Sequence, residues 1–121
     1  MPIQFNHEVR DEILLITTHG KDDSLKDVEN YARSILALAV KYNCSKLLCD
    51  ERKLVYSISL GDTLKYAEGL AAEITQIRSI AIVCDKRYLD DGLVLESAAR
   101  GRGVSILATA DYQEAVSWLH L

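Results

Sequence analysis

"SIAIVCDKRYLDDGLVLESAARGRGVSILATADYQEAVSWL", residues 79–119, decides the fold, because it contains strand, helix, strand and helix in that order. Residues 79–85 form a short apolar run that ends on Asp85, the pattern of a buried strand. Leu89, Leu93, Ala98 and Ala99 then suggest a helix with Asp90 or Asp91 near its start. Gly101 and Gly103 are suited to end it, since glycine accepts the left-handed backbone of a helix C-terminus. Residues 104–109, "VSILAT", read as the last strand. Asp111 opens the last helix with Glu114 at its third helical position, and Tyr112, Ala115, Val116 and Leu119 make its apolar stripe. Strands that alternate with helices imply a mostly parallel sheet with helices packed against it.

The same alternation extends upstream. "SKLLCD" (45–50) is a short strand ending on Asp50, followed by a loop, "ERKLVYSIS" (51–59). From Leu60 the apolar positions Leu64, Ala67, Ala71 and Ile74 recur at helical spacing, which predicts a second helix to about Thr75. Before them, Leu25, Val28, Ala32, Ile35, Leu36 and Ala39 predict a first helix over about 24–42, capped by Ser24. "IQFNHEV" (3–9) and "EILLITTHG" (12–20) read as an antiparallel hairpin joined by Arg10 and Asp11. The expected order is β-β-α-β-α-β-α-β-α in a single α/β domain covering residues 1–121.

Composition supports a folded domain and narrows its chemistry. A chain of 121 residues that is 49% hydrophobic can bury one sizeable core. Its net charge of −4, with 14 basic residues scattered among 18 acidic ones, gives no phosphate-binding footprint and argues against nucleic acid. Cys44, Cys49 and Cys84 form no even set and no CxxC pair, so they read as buried, reduced thiols of a cytoplasmic protein. The N-terminal "MPIQFNHEVRDE" lacks the pattern of a signal peptide, and the longest apolar stretch, residues 35–40, is far short of a membrane span.

No motif names a reaction. GxSxG, GxGxxG, Walker A and HExxH are absent, and His7, His19 and His120 have no Ser or Cys motif arranged around them. "RGRG" (100–103) reads as a helix end rather than an RNA contact. A non-catalytic protein without metal or cofactor is expected. Asp50 and Asp85 end neighbouring strands, at the carboxyl edge where α/β sheets place ligands. With Arg52, Lys53, Arg87 and Tyr88 in the following loops, they form a polar rim for an anionic head group or a partner's charged side chain. Trp118 is expected in the core, with a homodimer patch as its other use.

Element order and three stretches, "SKLLCD", "SIAIVCDKRY" and the C-terminal "ESAARGRGVSILATADYQEAVSWL", resemble the STAS domains of anti-sigma-factor antagonists and sulfate-transporter tails. The likeness is greatest to stand-alone antagonist-like proteins, which are grouped with CRAL-TRIO lipid-transfer domains. The resemblance implies a regulatory module that binds a protein partner or small ligand near the start of the second helix. In that family an Asp-Ser-Ser-Gly turn is phosphorylated on its first serine. Counting from Asp50, Ser59 falls there, within Ile58-Ser59-Leu60-Gly61, and Ser57 lies close by. Phosphorylation at Ser59 or Ser57 is one expectation. The simpler one is that Ser59 caps the helix with Asp62 as its capping-box partner. A lipid carrier is a further alternative, which requires an elongated cavity lined by residues such as Leu60, Leu64 and Leu93.

Overall fold

The computed structural model describes residues 3–74 and 76–121. Its order is β1 (Gln4–Arg10), β2 (Ile13–Asp22), α1 (Leu25–Lys41), β3 (Lys46–Tyr56), α2 (Leu60–Glu73), β4 (Ser79–Cys84), a 3-10 turn (Lys86–Tyr88), α3 (Leu89–Arg100), β5 (Ile106–Thr109) and α4 (Tyr112–Leu119). The strands form one sheet in the order β1-β2-β3-β4-β5, with β1 antiparallel to β2 and the rest parallel. The expected α/β architecture and element order are present.

Strand order from β2 to β5 never reverses, so right-handed crossovers put α1, α2 and α3 on the same face. Their buried residues Tyr31, Ile35, Ala67 and Ala99 join Leu14, Ile16, Leu47, Cys49, Ile80, Ile82 and Ile106 in the main core. After β5 the chain crosses to the other face, where Ala115 and Leu119 of α4 cover Ile13, Leu48, Ala81 and Val83. Trp118 is half-buried against this second cluster. All three cysteines are free and buried, as small apolar residues of the core.

Several boundaries differ from expectation. The hairpin turns on Asp11 and Glu12 rather than Arg10 and Asp11: Arg10 pairs with Ile13, and Asp11 takes the left-handed φ of 55° that a short polar side chain tolerates. Gly103 has a φ of +89° and needs to be glycine, whereas Gly101 is right-handed at −61°. The expected end of the second helix, Thr75, lies outside the described residues; α2 ends at Glu73. β5 begins at Ile106, because the Val104 N–H is still bonded to the Ala99 carbonyl of the preceding helix end.

The largest correction concerns β3. Residues 51–56 continue the strand instead of forming a loop, and a bulge explains why the pattern hid it. Thr17 pairs with Asp50 and His19 with Lys53, so two steps along β2 oppose three along β3. The extra residue shifts the side-chain alternation by one. Glu51 points into the helical layer, Arg52 and Lys53 are exposed, and Leu54 returns to the buried side.

Candidate functional site

The bulge has a chemical result: Glu51, Leu54 and Tyr56 face the same interior space at the carboxyl end of the sheet. Together with Asp22, Val28, Tyr31, Ile58, Tyr66, Ile82 and Leu95 they line a partly open cavity of about 60 Å³. That is room for several waters or a short aliphatic group. α2 contributes Thr63 and Tyr66, and α3 contributes Asp91, Gly92 and Leu95. Gly92 sets how closely α3 approaches the sheet, since a Cβ there would lie 3.2 Å from the Ala108 Cβ and 3.4 Å from the Cys84 Sγ.

Glu51 is the chemical centre of this space, with only 7% of its surface exposed. Tyr31 from α1 donates to its Oε2 at 2.9 Å, and Tyr56 donates to its Oε1. The single proton of Tyr31 is committed to Glu51, so Thr18 donates in turn to the Tyr31 oxygen, 2.8 Å away. A buried relay Thr18–Tyr31–Glu51–Tyr56 thus joins β2, α1 and β3. Among the described ion pairs none involves Glu51. Burial without a cation pushes its carboxyl up to about 7; the tyrosine bonds oppose the shift, and the charges of Asp22 and Asp50 add to it. Burial likewise raises the Tyr31, Tyr56 and Tyr66 hydroxyls above their ordinary value.

Asp22, 5% exposed, closes β2 beside the cavity. Its Oδ1 accepts the backbone N–H groups of Ser57 and Ile58, and the Ser57 hydroxyl donates to the Asp22 carbonyl. These bonds pin the segment that leads from β3 into α2. Burial raises the Asp22 carboxyl, and the Ser57 and Ile58 bonds partly offset it. None of the described donors reaches its Oδ2.

The residues singled out from sequence fall into two groups. Ser57, Ser59, Asp85, Arg87 and Tyr88 lie at the cavity end of the sheet. Ser59 is exposed and caps α2, accepting the Asp62 N–H at 3.1 Å. Asp85 caps the 3-10 turn by accepting the Arg87 N–H at 3.0 Å, and Arg87 stacks on Tyr88 at 5.0 Å. Tyr88 packs on Tyr56, with ring centroids 5.3 Å apart. Asp50 and Arg52 instead belong to the α4 face. Arg52 grips Asp50 through two bonds of 2.8 and 2.7 Å and lies over the Tyr112 ring at 5.2 Å. Burial works against the charge of Asp50, but the Arg52 bonds outweigh it and hold the carboxyl below the ordinary range. Lys53 is exposed on the bulge.

Leu60, Leu64 and Leu93, expected to line an elongated cavity, are 62%, 46% and 42% exposed. Thr63, Tyr66, Ala67 and Leu70, spaced i, i+3, i+4 and i+7, form the inward stripe of α2, which turns Leu60 and Leu64 outward. Leu54 and Leu95 take the lining positions.

No protein-family model matches the chain, and no curated protein matches it by sequence. Solved structures do. An anti-sigma factor antagonist from Mycobacterium paratuberculosis superimposes with a TM-score of 0.66 at 14% identity, over 98% of this chain and 95% of that one. The chain has the STAS fold. A second structure, an uncharacterized protein with a SpoIIAA-like fold from Shewanella loihica, gives a TM-score of 0.57 at 18% identity, over 98% and 94% of the two chains. The STAS fold accounts for the steady strand order and the single helix on the far face. The buried Glu51 relay is a feature of this chain's own side chains. Sequence reasoning missed it because a glutamate flanked by Asp50 and Arg52 looks like part of a solvated loop. The signal available was Leu54 and Tyr56, whose alternation resumes after the two basic residues. Among the described residues no helix is long and apolar enough to cross a membrane, and no cluster of three or more His, Cys, Asp or Glu could hold a metal ion.

Proposed function

We propose that this protein is a non-catalytic regulatory binding module whose ligand site is the cavity between β3, α2 and α3, and that the ligand is a small molecule with an apolar body. The observation that carries this reading is the cavity itself: aliphatic and tyrosine walls around two buried, hydrogen-bonded carboxyl groups, Glu51 and Asp22, opening beside the start of α2. Binding sites of this type combine an apolar lining with few polar groups that fix orientation. Occupancy would be sensed at the surface through Ile58 and Thr63, which line the cavity and flank the Ser59 cap. The carrier alternative narrows accordingly from a long lipid to a short ligand.

A second reading rests on Ser59. It is exposed at a helix N-terminus, where the unpaired N–H groups and the dipole favour a phosphate. Ser57 suits phosphorylation poorly, because its backbone is bonded to the Asp22 carboxylate and a dianion there would be repelled. Native mass spectrometry of protein purified gently from its own cells tests both readings. A reproducible non-covalent small-molecule mass supports the ligand site, and one phosphate localised to Ser59 supports the switch. A bare, unmodified chain from cells in several growth states counts against both.

A further inference from the structure

We infer that the cavity selects a primary ammonium on a short apolar chain, and rejects carboxylates and phosphates. This rests on the ligand-site reading above and adds the chemical class. The titratable groups facing the space are Asp22 from β2, Glu51 and Tyr56 from β3, Tyr31 from α1, Tyr66 from α2 and Asp91 from α3; among the described residues no Lys, Arg or His lines it. Cys49 and Cys84, on the same face of β3 and β4, are also near Glu51 and bring no positive charge. An anion placed there would meet three carboxyl groups in a region of low dielectric, a repulsion that excludes it more strongly than water would.

An ammonium meets the opposite situation. The two tyrosine hydroxyls supply one bond to each Glu51 oxygen, leaving further lone pairs, and the Asp22 Oδ2 has no donor among the described residues. Tyr31, Tyr56 and Tyr66 also line the space, and aromatic rings attract a cation. Ile58, Ile82, Leu54 and Leu95 accept the chain. A metal ion is a poorer occupant, since the described residues contain no cluster of metal-ligand type. Binding an ammonium also supplies the counter-charge that Glu51 lacks, so it shifts Glu51 toward its ionised form and releases the proton to solvent.

The test is isothermal titration calorimetry with n-butylamine, n-butanol and butyrate at pH 6 and pH 8. At pH 8 butylamine should bind about tenfold more tightly than butanol, the worth of one charge-assisted hydrogen bond, with butyrate weakest. The amine preference should shrink at pH 6, where Glu51 is mostly protonated, and shrink likewise in Glu51→Gln, where Asp22 and Asp91 still face the space, while butanol binding survives. For the unmodified protein at pH 7, titrations in two buffers of different ionisation enthalpy should show net proton release on butylamine binding. That measurement is independent of whether the variant folds. Nα-acetyl-lysine amide, as a further probe, tells a partner's lysine side chain from a free amine: binding as tight as butylamine assigns the former, clearly weaker binding the latter. Butanol or butyrate binding as tightly as butylamine overturns the ammonium assignment and leaves the cavity reading standing. Failure of all three four-carbon probes to bind defeats the cavity reading and this inference with it.

Discussion

Replacing Glu51 with glutamine should make the protein relatively more stable at pH 8 than at pH 5. The side chains are nearly isosteric, and a glutamine carbonyl can still accept from one tyrosine. What differs is charge. The Glu51 carboxyl rises from an ordinary 4.5 to about 7 in the fold, so the native state holds a proton that the unfolded chain has lost across that interval. Stability therefore falls as pH rises from about 4.5 to about 7 and is flat for this group above it. At about 1.4 kcal/mol per pKa unit the loss is about 3 kcal/mol, from a group buried enough that solvent screens little of it. Glu51→Gln has no such loss. Urea unfolding of both proteins at pH 5 and pH 8 isolates the effect, because groups that do not face Glu51 are common to the two and cancel in the difference. Part of that loss has already occurred at pH 5, so the stability of the variant relative to the parent should improve by about 2.5 kcal/mol between the two pH values. A variant that is equally costly at both, or worse at pH 8, would mean that Glu51 is ionised throughout and that the tyrosine bonds dominate its burial.

Other consequences follow from single contacts. Ser59→Ala removes the cap of α2 and should cost about 1 kcal/mol in chemical denaturation, with Ser59→Asp recovering most of it. Tyr31→Phe strips a donor from Glu51 and the partner of Thr18, and should destabilise the protein by about 1–3 kcal/mol by the same assay. Gly92→Val forces side-chain atoms against Ala108 and Cys84 and should cost about 1–3 kcal/mol, read as a lowered midpoint. The three buried thiols should react with a thiol reagent only as fast as the protein unfolds, so their labelling rate should track urea concentration.

How far the sequence could be read depended on what each element had to satisfy. Elements held by one clear period, such as the Ser24-capped first helix and the Asp111-capped last one, were legible because cap and apolar stripe agree. β3 was not, since a bulge breaks a period of two and Arg52-Lys53 imitates a turn. The inward face of α2 was read correctly at Ala67, Ala71 and Ile74 but not in its first turns, for a related reason: Leu60 and Leu64 outrank Thr63 and Tyr66 in hydrophobicity, yet the amphipathic pair lines the cavity. Asp50 was visible as a strand-end carboxylate, but its place on the α4 face and its pairing with Arg52 depend on alternation across the sheet. Glu51 was hidden by its neighbours and becomes a site only when Tyr31, twenty residues earlier, is folded against it.

Occupancy of the space around Glu51 decides whether the cavity is a ligand site. Methyl NMR of protein labelled at isoleucine and leucine, titrated with n-butylamine at pH 8, reports on both faces of the sheet at once. Shifts confined to Leu54, Ile58, Ile82 and Leu95, with Ile13, Leu48 and Leu119 unmoved, are the result expected of a ligand in the cavity. Unchanged cavity methyls, or shifts centred on the α4 face, would contradict it.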